Sequence, residues 1–239
     1  MNDSFALKKR PRHEEQAKNE LANASVLRAM NHMHITRVFD IHEENDYVYT
    51  LMPWCGIDLY THIMENNNMC TPALFHGVYA DMKSALIYLH HTLKYCHGDV
   101  KLENIMCHGK NNYMDTKYKL CDFGSMVKCL VGLMPNVHVV GTRHYQAPEV
   151  SVDKTVDYTK TDLWSLGVVL YCMHFRRFLA SVAHVAAWYK QYANAGSKYH
   201  VSLKLLRCDE TNGTPTLSRY QRKVLLPLLC LNPRYRVLY

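Results

Sequence analysis

No stretch of this 239-residue chain is apolar for long enough to cross a membrane; the best candidate, residues 163–175, is interrupted by Ser165 and Gly167. A membrane is therefore not expected as a partner. The basic cluster Lys8-Lys9-Arg10-Pro11-Arg12-His13 has no apolar stretch behind it and lacks the form of a secretory signal. The nine cysteines include no Cys-x-x-Cys pair and no Cys/His ligand rhythm. Free, mostly buried thiols in a reducing intracellular compartment are expected, rather than a disulfide framework or a zinc site. Acidic residues are outnumbered by basic ones, 21 against 28, for a net charge of +7. The ordinary reading is a basic surface, and the functional ones are attraction to acidic substrates or to nucleic acid. No aromatic platform or recognised nucleic-acid motif accompanies the charge, so nucleic acid is not an expected partner. The basic cluster could serve as a nuclear localisation signal, which leaves cytoplasm and nucleus both open.

What is present describes a soluble globular protein, with 48% hydrophobic and 21% charged residues and length for one large domain or two small lobes. Residues 14–30 lack Pro and Gly, are rich in Ala, Leu, Glu, Lys and Arg, and are expected to form a helix. Residues 35–41 and 47–52 are strand-like runs, and the polar segment 42–46 between them suits a hairpin turn. Thr71-Pro72 opens a helix with a capping residue and a proline at its first position. Leu74, Val78, Met82, Ala85, Leu86 and Leu89 recur along it at three- and four-residue spacing, which buries one face. His90 and His91 at its end read as polar or capping residues rather than metal ligands. Residues 113–120 suit a strand, 161–171 a helix buried all round, 180–192 and 218–231 two more helices, and 208–215 a loop.

The segment Tyr95-Cys96-His97-Gly98-Asp99-Val100-Lys101-Leu102-Glu103-Asn104-Ile105-Met106 sets an Asp, a Lys and an Asn between two apolar flanks. Asp122-Phe123-Gly124 follows, then Gly141-Thr142-Arg143-His144-Tyr145-Gln146-Ala147-Pro148-Glu149, and near the end Arg236. Each residue alone has an ordinary reading as a surface or turn residue. The ordered set resembles the catalytic core of eukaryotic-type protein kinases, whose elements are His-Arg-Asp, Asp-Phe-Gly and Ala-Pro-Glu. Lysine two residues after the Asp is similar to the serine/threonine class.

The resemblance implies an α+β, bilobal kinase-like fold. Residues 1–53 would make a reduced small lobe of β-sheet plus one helix, and residues 54–239 a mainly α-helical large lobe. It implies ATP and Mg2+ as cofactors and a protein Ser/Thr hydroxyl as substrate. Asp99 would accept the hydroxyl proton, Lys101 would neutralise the γ-phosphate, and Asn104 and Asp122 would hold the metal. Lys8, in Ser4-Phe5-Ala6-Leu7-Lys8, would contact the α- and β-phosphates, with Ala6 beside the nucleotide. Leu51 would lie behind the adenine, Met52 to Trp54 would form the hinge that reads its edge through the backbone, and Asp58 would accept from the ribose. Thr142 would bond near Asp99 and Lys101, Glu149 would pair with Arg236, and Asp162 would hold the catalytic-loop backbone.

Four features depart from the family pattern. Gly98 stands in the Arg position of His-Arg-Asp. Counting back from Met30 puts Asn23, not an acid, where the helix should pair with Lys8, with Glu20 about a turn earlier. None of the seven residues before Lys8 is glycine, so the Gly-rich loop that covers the triphosphate is not in this sequence. The small-lobe sheet then has an open edge, which a protein partner could cover. The chain also stops three residues after Arg236, short of the family's closing helix. An active kinase is the leading expectation and a kinase-like binding module the alternative. The compact length and relaxed motifs also resemble kinases of large DNA viruses, which would put the protein inside a host cell.

Overall fold

The computed structural model describes residues 4–65, 70–109, 116–129, 132–136, 141–179, 182–192 and 216–239. Three strands, β1 (Phe5–Pro11), β2 (Asp40–Glu44) and β3 (Tyr47–Pro53), form an antiparallel sheet in the order β1-β3-β2. Beside the sheet run two short helices, α1 (Glu15–Ala22) and α2 (Ala24–Ala29). Beyond them the chain is mainly helical. Helices α3 (Pro72–Ile87), α4 (Tyr158–Phe175), α5 (Val182–Tyr192) and α6 (Arg219–Leu228) are accompanied by short strand pairs. This is the bilobal α+β arrangement. No helix among the described residues is long and apolar enough to cross a membrane.

The hairpin lies further along the chain than the hydrophobicity of residues 35–41 suggests. β2 begins at Asp40 and continues through His42, Glu43 and Glu44, and the turn is Asn45-Asp46, with φ of 48° and 63°. Asn and Asp tolerate this left-handed backbone, as two-residue hairpin turns require. The polar residues fit because β2 is an outer strand whose other positions face water, with only Ile41 buried. Ile35 instead makes a single bridge to Leu120. On the opposite side of the sheet, β1 pairs with β3 alone among the described residues. Its outward residues Phe5 and Leu7 are 58% and 62% exposed.

The expected helix over residues 14–30 is broken at Asn23, whose φ of −102° and ψ of 12° leave the helical region. Asn side chains bond readily to nearby backbone, and Asn23 Nδ2 donates to both the carbonyl and Oδ1 of Asn19 at 2.9 Å.

In the large lobe, Thr71 caps α3 by accepting from the Leu74 N–H at 3.1 Å, and Leu74, Val78, Met82, Ala85 and Leu86 are buried as their spacing requires. α4 is buried nearly all round. A methyl at Gly167 would lie 2.8 Å from Leu229 Cδ2, so glycine is what lets α4 approach the end of α6. α6 starts with a capping box between Ser218 and Gln221. β4 (Ile57–Asp58), β6 (Ile105–His108) and β7 (Lys117–Leu120) make a second small sheet, while β5 (Tyr95–Cys96) pairs with β8 (Val127–Lys128). A further pair, β9 (Met134–Pro135) with β10 (Thr155–Val156), precedes α4. The expected loop at 208–215 and the first part of the strand expected at 113–120 lie outside the described residues.

One expectation about cysteine is corrected. Cys55, Cys172 and Cys230 are free and buried, but Cys96 and Cys129 form a disulfide with Cα atoms 6.1 Å apart. The pairing of β5 with β8 brings the two together. They are 33 residues apart in sequence, a spacing with no local signature.

Candidate active site

After α3 the chain reverses at Lys94, in a left-handed conformation (φ 62°), and enters β5. Asp162, near the start of α4, then fixes the loop that follows. Its carboxylate accepts from the backbone N–H groups of His97 (2.8 Å) and Gly98 (2.9 Å) and bonds His90 Nε2 (2.8 Å). Burial alone would raise its pKa. The hydrogen bond and charge of His90 and the Gly98 N–H outweigh this and hold the carboxyl below its usual range. His90 is thus a buried partner of Asp162. His97 Nδ1 accepts from the Asp99 N–H at 3.2 Å, so its other nitrogen carries the proton and donates to the Cys121 carbonyl at 3.0 Å.

That loop presents Asp99, which is 6% exposed, to a closed set of partners. Oδ1 accepts from the N–H and the hydroxyl of Thr142, each at 2.8 Å. Oδ2 lies 2.8 Å from Lys101 Nζ, which also donates to the Thr142 hydroxyl at 2.9 Å. Asn104 Nδ2 donates to the Asp99 carbonyl at 2.8 Å and lies 3.3 Å from its Oδ2. Two glycines make the approach possible. Gly98 has φ of 79°; Gly141 has φ of 95°, and a methyl there would come within 2.8 Å of the Gly98 carbonyl oxygen.

Asp122 adjoins this group. The Cys121 N–H donates to the Asn104 carbonyl at 2.9 Å, and Asp122 itself is left-handed with φ of 61°. Lys8 Nζ donates to its Oδ1 at 2.9 Å and Arg10 Nη2 to its Oδ2 at 2.7 Å. Burial works to raise this carboxyl's pKa, but the charge and hydrogen bond of Lys8, the charge of Arg10 and the Gly124 N–H outweigh it, bringing it down to about 2. A depressed carboxylate stabilises the fold at pH above its unfolded pKa of roughly 4, and that contribution is lost as pH falls through about 2. Asp122→Asn is therefore expected to flatten the decline in stability between about pH 4 and about pH 2, read as urea midpoints across that range.

Lys8 also pairs with Glu20, which in turn accepts from the Thr50 hydroxyl at 2.9 Å. The expectation that Asn23 occupies the pairing position is thus overturned. It rested on an unbroken helix; the break at Asn23 shifts the count by nearly a turn and brings Glu20 to the lysine. Asn19 makes a further contact that sequence alone did not single out, donating to the carbonyls of Gly124 (3.0 Å) and Met126 (2.8 Å).

The nucleotide-edge expectations change more. Strand alternation turns Thr50 and Met52 toward the small cavity that Lys8, Glu20, Asp122 and Phe123 also line, and puts Leu51 on the opposite face beside Leu7. Met52, not Leu51, is the side chain at that wall. The Trp54 N–H donates to the Ser4 carbonyl at 2.9 Å, so by antiparallel alternation the Ala6–Met52 pair is also hydrogen-bonded. Pro53 has no N–H. The N–H groups of Met52 and Trp54, two of the backbone groups expected to read the adenine edge, therefore face β1, while the Pro53 carbonyl accepts from Cys55 Sγ at 3.4 Å. Ala6 sits on the same face of β1 as Lys8. Asp58 accepts from the N–H and hydroxyl of Thr61, both at 2.9 Å, and so caps the turn after β4.

Between α1 and the loop lies a cavity of about 670 Å3 lined by Gln16, Asn19, Asp99, Lys101, Ser125 and Thr142, among others. Further from it, Glu149 and Arg236 form a buried, two-pronged ion pair, with Nη2–Oε2 at 2.8 Å.

The residues from 1 to 238 match the protein kinase domain model. This chain belongs to the protein kinase family. Two kinase relatives agree with that assignment. The kinase domain is 30% identical over 168 residues to the serine/threonine-protein kinase oca2 of Schizosaccharomyces pombe, covering 69% of this chain and 25% of that protein. It is 29% identical over 222 residues to sperm motility kinase 2A of Mus musculus, covering 89% and 42% respectively. The kinase domain thus spans less than half the length of either relative.

Proposed function

We propose that this kinase domain is catalytically active and transfers the γ-phosphate of ATP to a serine or threonine hydroxyl of a protein inside the cell. The observation that carries the reading is the closed network of Asp99, Lys101, Thr142 and Asn104 beside Asp122. A protein free of catalytic demand has no reason to keep four polar side chains converged on one point. Asp99 is the group positioned to take the hydroxyl proton, and Lys101 the cation beside it that meets charge on the moving phosphoryl group. Asn104 engages its amide N–H with Asp99, which leaves its carbonyl oxygen as a hard donor. Together with the Asp122 carboxylate this is an oxygen pair of the kind a magnesium ion takes. Bound magnesium would bridge and neutralise the phosphates. Lys8, held by Glu20, serves the α- and β-phosphates, and the two lobes meet near residue 53. The exposed side of β1 suits a protein partner.

The second reading, a kinase-like binding module, is favoured by the backbone of Met52 and Trp54, which is engaged with β1 instead of facing a ligand. Radiolabelled transfer from ATP to generic acidic and basic proteins separates the two. Transfer by the parent protein that Asp122→Asn abolishes supports the enzyme. No transfer above Asp122→Asn, together with no magnesium-dependent nucleotide binding, supports the module.

Gly98 carries a regulatory consequence. An arginine in its place would read a phosphate on the segment between Asp122 and Glu149 through charge-assisted hydrogen bonds. Glycine has no such group, so phosphatase treatment of the purified protein is expected to leave its activity unchanged. A large loss that re-phosphorylation of the segment restores would sink this expectation.

A further inference from the structure

The side chains of β1 alternate, and those turned inward are Ala6, Lys8 and Arg10. The other arginine of the basic cluster behaves as a surface residue: Arg12 is 58% exposed and pairs with Glu43. Arg10 differs. Its side chain is 21% exposed, and Nη2 reaches Asp122 Oδ2 at 2.7 Å, while Lys8 holds the other oxygen, Oδ1. Nη1 lies 3.6 Å from Glu14, a loose contact on the outer rim. A guanidinium thus stands at the carboxylate proposed to hold the metal, two residues along the strand from the lysine proposed for the phosphates. Lysine already divides its charge between Glu20 and Asp122. The added cation on the same side is Arg10, and its planar fork matches two phosphate oxygens.

We propose that Arg10 is a phosphate-binding residue, recognising the β- and γ-phosphates of a nucleoside triphosphate. The inference rests on the kinase reading above. A metal-bound triphosphate brings oxygen anions to the place where Asp122 Oδ2 now meets Arg10, and the guanidinium exchanges one oxygen partner for the other without crossing the site. The competing role is a lock, in which Arg10 only occupies Asp122. The two roles predict opposite signs, because removing a lock strengthens binding and removing a phosphate ligand weakens it.

Calorimetric titration of the parent, Arg10→Ala and Arg10→Lys with MgATP and with adenosine distinguishes them. Arg10→Ala is expected to weaken MgATP binding by roughly 10- to 100-fold, the range for charge-assisted hydrogen bonds, with adenosine affinity unchanged. Arg10→Lys keeps the charge without the fork and should fall between. Equal or tighter MgATP binding by Arg10→Ala overturns the proposal and leaves the kinase reading intact. An equal loss for adenosine marks a folding role and also overturns it. A parent protein that binds neither ligand removes the kinase reading, and the proposal with it.

Discussion

Asp99→Asn is expected to slow phosphoryl transfer by about 10²–10⁴-fold, the usual contribution of a positioned general base, with MgATP affinity nearly unchanged. The substitution keeps the shape of the side chain. Its remaining oxygen can still accept from the N–H and hydroxyl of Thr142, both 2.8 Å away in the parent. The other arm becomes an NH2 group, which faces Lys101 Nζ and Asn104 Nδ2, themselves donors. The proton acceptor is lost and the lysine is pushed from its place, while Lys8, Glu20 and Asp122 are untouched. Rate and affinity should therefore separate. Single-turnover transfer gives the first and calorimetry the second. A fall of less than about tenfold would mean that Asp99 organises the loop without taking part in the chemistry.

The second large effect is on stability. Arg236 is fully buried, and its guanidinium meets Glu149 and the carbonyls of Cys230 (2.7 Å), Lys160 (3.1 Å) and Leu231 (3.1 Å), above the Trp164 ring. Arg236→Ala leaves a buried carboxylate without its cation, which costs about 3–5 kcal/mol. For a chain of this size that corresponds to a melting temperature lower by roughly 6–20 °C. A buried ion pair can often be replaced by apolar residues at little cost. Here the replacement should not be neutral. Glu149→Met with Arg236→Leu removes the stranded charge, but the three carbonyls still lose their donors. The double variant is expected to recover only part of the loss, and thermal unfolding of both single variants and the double variant measures the share. A double variant as stable as the parent would show that the carbonyl bonds contribute little.

Much of the large lobe could be read from local signals. The cap and proline at Thr71-Pro72, the apolar spacing of α3 and the all-round burial of α4 are properties of short windows, and each formed as read. So did the convergence of Asp99, Lys101 and Thr142, because the loop and the segment before Glu149 are anchored by residues whose types are themselves distinctive. Asp162 and the Glu149–Arg236 pair belong to the same group.

The small lobe was less legible, because its register depends on single residues. One non-helical residue, Asn23, moved the acid that meets Lys8 from the counted position to Glu20. In a strand, a shift by one position turns a side chain to the other face, which is why Met52 rather than Leu51 lines the cavity. Arg10 read only as part of a basic cluster until strand pairing turned it inward. The disulfide between Cys96 and Cys129 likewise depends on two strands meeting across 33 residues of chain. By itself the sequence determined the family and the loop that carries Asp99, Lys101 and Asn104, since these rest on residue type and order. Only the tertiary structure decided which acid holds Lys8, which of Leu51 and Met52 lines the cavity and where Arg10 points. Those depend on helix phase and strand register, which packing sets.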